Sequence, residues 1–211
     1  MGITIYARGR IDSLGDIPRL IGEVKGIAEE NDWEYAIIDD DFAVRPNAVF
    51  TPSDSDEPAT IEGSLGLKGI IPSVDPKAEP LVILFDRSGV LTDMMQQVYW
   101  LYDNVQDDRL TSCKTQFGSI DSHIHIIDLF DVLKKRYITD LVINDEGGYW
   151  ESRDYKLLAE KRAVLEHYIH HTERVIGGIE ISDHDVQDSE IVASHIEEAL
   201  LESDKDGGLH H

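Results

Sequence analysis

The stretch SIDSHIHIIDLFDVLKKRYITDLVINDEGGYW, residues 119–150, contains the pattern that best indicates the fold class. Apolar residues recur at helical spacing up to residue 137, which predicts a helix. Its inward face comprises Ile126, Leu129, Phe130, Leu133 and Tyr137. The apolar, β-branched run 140–145 and the run SCKTQFGSI at 112–120 each predict a strand. Together they predict a β-α-β unit that ends on two acids and a Gly-Gly turn.

A segment near the N-terminus repeats this order of elements. Residues 2–11 alternate as a strand, residues 16–33 have a helical apolar face, and residues 34–40 form a strand before further acids. Both segments read Ile-Asp-Ser, helix, strand and acid cluster, so we interpret residues 1–44 and 112–150 as a diverged internal repeat.

The fold class predicted from these segments is α+β. We expect a single mixed β-sheet with helices mainly on one face, because a hairpin at DRSG, residues 86–89, separates the two units. Residues 45–66 predict a long surface loop, and residues 96–110 fit either a helix or a strand.

The remaining elements lie toward the C-terminus. Residues 154–176 predict a long helix that completes a core domain over residues 1–178. An acidic tail over residues 179–211 contains one amphipathic helix, whose apolar face is a candidate contact for a homo-oligomer.

Charge excludes some classes of partner. The chain has 42 acidic residues against 19 Lys and Arg, a formal net charge of −23. Such a surface repels phosphate backbones and anionic lipids, so we expect neither nucleic-acid nor membrane binding. The lone Cys113 precludes an internal disulfide, and no targeting segment is recognisable, which favours a cytoplasmic location.

The acids at the strand ends are the first candidate site. In a parallel β-α-β unit both strands end at the same edge of the sheet. Asp39 and Asp41 would then lie at that edge in the first unit, and Asp145 and Glu146 would occupy the matching place in the second unit. Carboxylates gathered there could bind a divalent cation or act as general acid and base. The alternative is that they cap turns and pair with neighbouring arginines.

Histidines are the second candidate. His167 and His171 have the i, i+4 spacing that suits zinc, but no glutamate directly follows the first histidine as in the metalloprotease motif. The alternative is a solvated helix face. His123 and His125 lie on a predicted helix, where i and i+2 side chains diverge.

No motif assigns a reaction. A G-x-S-x-G sequence and a P-loop are absent, so no catalytic residue and no cofactor are predicted. The pairing of KTQF, residues 114–117, with NDEGGYW, residues 144–150, resembles an uncharacterised bacterial protein family of unknown function, best over residues 113–155. The resemblance implies no activity and no site residue.

Two functions therefore stay open. The first is an acidic interaction module, such as an immunity or inhibitor-like protein, that neutralises a basic protein partner without catalysis. The second is a divalent-metal-dependent or acid/base enzyme that uses the strand-end carboxylates.

Overall fold

A computed structural model describes residues 2–53, 58–103 and 109–177, apart from the side chains of residues 103 and 175–177. Its contacts divide the chain into two units, Met1–Ala159 and Glu160–His211. The tail predicted at 179–211, with its amphipathic helix, lies outside the described residues.

Nine strands are present in the described part of the chain. They are β1 Thr4–Arg8, β2 Glu34–Asp39, β3 Val49–Thr51, β4 Thr60–Glu62, β5 Leu67–Ser73, β6 Ile83–Asp86, β7 Leu91–Thr92, β8 Thr111–Lys114 and β9 Val142–Asp145. Five α-helices accompany them within the same ranges. They are α1 Ile17–Glu30, α2 Met94–Asp103, α3 Ile120–Arg136, α4 Tyr149–Ser152 and α5 Tyr155–Gly177.

The α+β class is confirmed, but the prediction of a single mixed sheet is wrong. The strands form three sheets, ordered β8-β1-β9, β2-β5-β6-β7 and β3-β4. Every strand pair within them is antiparallel. Because β8 and β9 occupy both edges of β1, β2 cannot pair with β1, and it pairs instead with β5.

The two proposed repeat units therefore differ in strand pairing. Strands β8 and β9 both run antiparallel to β1, so they are parallel to one another, with β1 between them and α3 connecting them. In the N-terminal segment, β1 and β2 belong to different sheets. The internal repeat stays a prediction from the sequence.

The main core lies between helices α1 and α3 and the two larger sheets. The five inward residues predicted for α3 are all buried, and Ser119 caps this helix by accepting the Ser122 N–H. Against them pack Ile5 and Ala7 of β1, Leu20 and Val24 of α1, and Ile83 and Phe85 of β6. On β1, alternation leaves Tyr6 and Arg8 on the opposite face, which these helices do not cover.

A second, smaller core covers the other face of the four-stranded sheet. Leu67 and Leu84 of that sheet pack with Ala48, Leu65 and Val98. The loop predicted at 45–66 thus contains the short hairpin β3-β4, and the ambiguous segment 96–110 is helical as far as residue 103. The predicted turn at 86–89 is confirmed, with Gly89 at φ 83°.

Within the second unit, the description covers residues 160–177, which continue helix α5. Among the helices that the structure describes, none is both long enough and apolar enough to span a bilayer.

Candidate functional site

The carboxylates that follow β2 are engaged in local structure. Asp39 Oδ1 lies 2.6 Å from Lys68 Nζ. Asp40 Oδ2 accepts the N–H groups of Gly66 and Leu67 at 2.8 and 3.0 Å. These bonds fix the turn between β2 and the segment that leads into β5, and Asp41 accepts the Ala43 N–H in a turn of its own.

The two acids that end β9 lie in different surroundings. Asp145 is buried, whereas Glu146 is exposed and its Oε2 accepts the Thr4 N–H at 2.8 Å. Consecutive residues of a strand point to opposite faces, which explains the divergence. Asp145 and Glu146 therefore do not converge on one ligand from the same side of the sheet.

The two acid clusters also belong to different sheets, since β2 lies in the four-stranded sheet and β9 in the three-stranded one. Over residues 2–53, 58–103 and 109–177, no group of three or more His, Cys, Asp and Glu is arranged to hold a metal ion. On α5, the His167 ring stacks edge-on with Tyr168 at 6.2 Å, and His170 Nδ1 lies 3.2 Å from Glu173. The carboxylate and histidine metal sites stay predictions.

One buried polar site is a row of three hydrogen-bonded side chains, Thr115, His123 and Asp145. His123 Nε2 lies 3.2 Å from Asp145 Oδ2, and His123 Nδ1 lies 2.7 Å from Thr115 Oγ1. Both the histidine and the aspartate side chains have 0% exposure. They come from α3 and from the end of β9, so the site connects the helix to the three-stranded sheet.

The position of the proton on the His123 ring follows from the groups that its two nitrogens contact. The Asp145 carboxylate accepts hydrogen bonds, so His123 carries its proton on Nε2. In the neutral imidazole, Nδ1 then accepts from the Thr115 hydroxyl. In the imidazolium, Nδ1 donates instead, and the Thr115 hydroxyl is free to donate to the Ile3 carbonyl, 3.3 Å away.

Asp145 remains ionised although it is buried. Its oxygens also accept the N–H groups of Gly147 at 2.7 Å and Trp150 at 2.9 Å. Burial raises the pKa of Asp145, but the hydrogen bond and charge of His123, together with these two N–H groups, leave that pKa below its ordinary value. A solvent-borne substrate does not reach this carboxylate, because it has no exposed surface.

The Gly-Gly turn after Asp145 is shaped by the same site. A Cβ on Gly147 would lie 2.8 Å from Leu158 Cδ1 and 2.9 Å from His123 Cε1. Gly148 has φ 75°, a conformation that favours glycine. The sequence DEGGYW therefore packs closely against the buried histidine.

A second buried charge pair holds α2 near the four-stranded sheet. Arg109 Nη1 lies 2.9 Å from Asp86 Oδ2, with both side chains 4% exposed. The same nitrogen donates to Gln97 Oε1 at 2.7 Å, and the guanidinium lies 4.3 Å from the Trp100 ring centroid. Asp86 also accepts the N–H groups of Ser88 and Val90 in the hairpin turn. This network connects α2 to the hairpin turn after β6 and has the character of a buried ion pair.

The single thiol is not a nucleophile in this fold. Burial, with a smaller contribution from Glu79, raises the pKa of Cys113 to about 12. Its Sγ lies 3.1 Å from the Glu79 carbonyl oxygen inside the core.

The uncovered face of the three-stranded sheet has two shallow depressions that meet at Tyr6. One, of about 410 Å³, is lined mainly by apolar atoms around Arg8, Leu110, Val142 and Asn144. The other, of about 500 Å³, is polar and mixes Lys114 with Glu79 and Glu146.

The buried polar sites are what reasoning from the sequence missed. His123 is paired in sequence with His125, yet residues 123, 126, 127 and 130 share i, i+3, i+4 and i+7 spacing, so His123 belongs to the apolar face of α3. That spacing could have identified it as a core histidine. The structure confirms the divergence of the pair, because His125 is exposed beside Trp33 at 5.6 Å.

Comparisons with protein-family models, with curated proteins and with solved structures found no match to this chain.

Proposed function

We propose that the chain is an interaction module without catalytic activity, of the immunity or inhibitor-like kind, and that it binds a basic protein partner through its acidic surface. One observation carries the proposal: residues 29–41 have seven acids and no Lys or Arg. These residues run from the end of α1 through β2.

The surroundings leave most of this charge unbalanced. In the described part of the chain, Lys25 lies 3.6 Å from Glu29 and Lys68 lies 2.6 Å from Asp39. The side chains of Glu30, Asp32 and Glu34 are exposed, and none makes a hydrogen bond or ion pair within residues 2–53, 58–103 and 109–177. A concentrated negative surface steers a positively charged partner and raises its association rate.

The buried groups support a non-catalytic role. The His123–Asp145 pair has the chemistry of a general base, but it has no exposed surface. A general base must come within hydrogen-bond reach of the substrate proton. The groups best suited to proton transfer are therefore occupied in holding α3, β9 and the Gly-Gly turn together.

The test is a selection of random displayed peptides on three forms of the chain. The first form is unmodified, and the second carries Glu30→Gln, Asp32→Asn and Glu34→Gln. The third carries Asp121→Asn, Asp128→Asn and Glu151→Gln, which are also exposed, so both variants have the same net charge.

We expect peptides rich in Lys and Arg to be enriched on the unmodified chain and on the third form, and to be lost on the second. Enrichment of neutral or acidic peptides, or equal enrichment on both variants, would contradict the proposal.

A further inference from the structure

Strand β2 forms an edge of the four-stranded sheet, with β5 as its one partner in the sheet order. The register pairs Tyr35 with Pro72, which has no N–H, so this is a position without ladder hydrogen bonds. The Asp40 N–H donates to the Leu67 carbonyl at 3.0 Å. The even-numbered residues from Glu34 to Asp40 are therefore the ones whose peptide groups bond to β5. The N–H and C=O groups of Tyr35, Ile37 and Asp39 therefore point away from β5.

These outward groups are available to a partner. Over the described ranges, no hydrogen bond is made by the outward peptide groups of Tyr35 and Ile37. The Ile37 residue is 44% exposed and the Asp39 side chain 70% exposed. An exposed edge of this kind is a template on which another strand can pair.

The other strand edges of the two larger sheets are covered along their length or bound at their ends. The outer side of β7 is occupied, since Leu91 N donates to Gly9 O at 2.9 Å. The outer side of β8 is covered too, since Glu79 N donates to Lys114 O at 3.0 Å. At β9, Lys134 Nζ binds the Leu141 carbonyl at one end, and Gly148 N binds the Asp145 carbonyl at the other. Covering an edge, or placing a lysine on it, is how proteins block strand addition.

We infer that the free edge of β2 accepts an extended basic segment of a partner protein, which adds as an antiparallel strand beside Tyr35, Ile37 and Asp39. This inference rests on the proposed function and gives it a site. Residues 29–41, with their seven acids, surround the edge. Lys or Arg therefore finds opposite charge at Glu34 at one end of the added strand and at the run Asp39 to Asp41 at the other, where Lys68 already pairs with Asp39.

The same charges disfavour a second copy of this chain as the occupant. Antiparallel pairing of two β2 strands about Ile37 would place Glu34 opposite Asp40 of the other copy, twice by symmetry. Like charges directly opposite each other destabilise a strand pair. The charge pattern therefore selects a basic strand over self-association.

The probe is a capped peptide, Lys-Thr-Val-Thr-Val-Lys. In the antiparallel register its first lysine lies opposite Asp39, its first valine opposite Ile37 and its last lysine opposite Glu34. Two matched peptides serve as controls: one has glutamate in place of both lysines, and the other is N-methylated at the first valine. N-methylation removes the N–H that would pair with Ile37 without changing the charge.

Binding is followed by amide resonances of the full chain and by their hydrogen exchange. We expect the basic peptide to slow exchange of the Tyr35, Ile37 and Asp39 amides, and N-methylation to weaken binding about tenfold. The glutamate peptide should not bind. Raising NaCl from about 50 mM to about 500 mM should weaken binding of the basic peptide.

The outcomes separate the site from the function. Salt-dependent binding of the basic peptide without protection of these amides, or insensitivity to N-methylation, overturns the strand-addition site but leaves the proposed function standing. Protection that grows with protein concentration in the absence of peptide shows that a second copy occupies the edge, and also overturns the inference. If the basic peptide does not bind and displayed peptides rich in Lys and Arg are not selected, both fail.

Discussion

His123 Nε2 lies 3.2 Å from Asp145 Oδ2, and neither side chain has any exposed surface. His123 belongs to α3 and Asp145 ends β9, so this contact joins the longest helix of the main core to the three-stranded sheet. It also explains why the Asp145 carboxylate at the end of this strand points into the core and is not exposed.

Replacing Asp145 should destabilise the fold. Asp145→Asn removes a buried negative charge that accepts from His123, Gly147 and Trp150, and it places an amide N–H₂ among those donors. Breaking a buried pair of this kind costs about 3–5 kcal/mol. Equilibrium unfolding in urea measures the loss.

The matched control for that change is the next residue. Glu146→Gln keeps an oxygen that can accept the Thr4 N–H at an exposed site, so its effect should stay within about 1 kcal/mol. Equal losses for the two variants would show that the Asp145 site does not carry the stability assigned to it.

The free energy of unfolding should fall as the pH is lowered, because protonation of Asp145 disfavours the folded state. Its pKa in the folded chain is below the ordinary value of 3.8, so ionisation favours the folded state at higher pH. This contribution is fully present above pH 3.8 and is lost as the pH falls through the lower folded pKa. The free energies of unfolding of the unmodified chain and of Asp145→Asn, measured in urea, should therefore converge as the pH is lowered below 3.8. A constant difference across that range would rule out the assignment.

Two glycines with ordinary backbone angles should respond oppositely to alanine. Gly147→Ala brings a Cβ within 2.9 Å of His123 Cε1, so the turn or the histidine must shift, at about 1–3 kcal/mol. Gly26→Ala, in helix α1, meets no atom within 4 Å and should stabilise by about 0.5–1 kcal/mol through helix propensity. Thermal unfolding of both variants checks the pair, and a stable Gly147→Ala chain would contradict the packing described for this turn.

Local structure could largely be predicted from the sequence. The inward face of α3 follows from helical spacing, the turn at Gly89 follows from DRSG, and Asp154 caps α5 by accepting the Lys156 N–H, as its position suggests. These features depend on residues within a few positions of one another.

Pairing between distant segments could not be predicted in the same way. A β-α-β pattern does not show that β1 inserts between β8 and β9, because register depends on strands more than a hundred residues away. The short strands β3 and β4 lie among prolines, serines and acids that also suit a loop. Asp145 looked like a surface ligand because its partner His123 lies 22 residues earlier, in another element.

The most direct measurement of the central claim is amide hydrogen exchange along β2 in the unbound chain. Ala36, Ile38 and Asp40 face β5, whereas Tyr35, Ile37 and Asp39 face outward. If β2 is an open edge, the outward amides should exchange roughly a hundredfold faster than the inward ones, in strict alternation. Uniform protection of all six amides would show that the edge is already covered, and would contradict the assignment of this strand as the docking site for a basic partner.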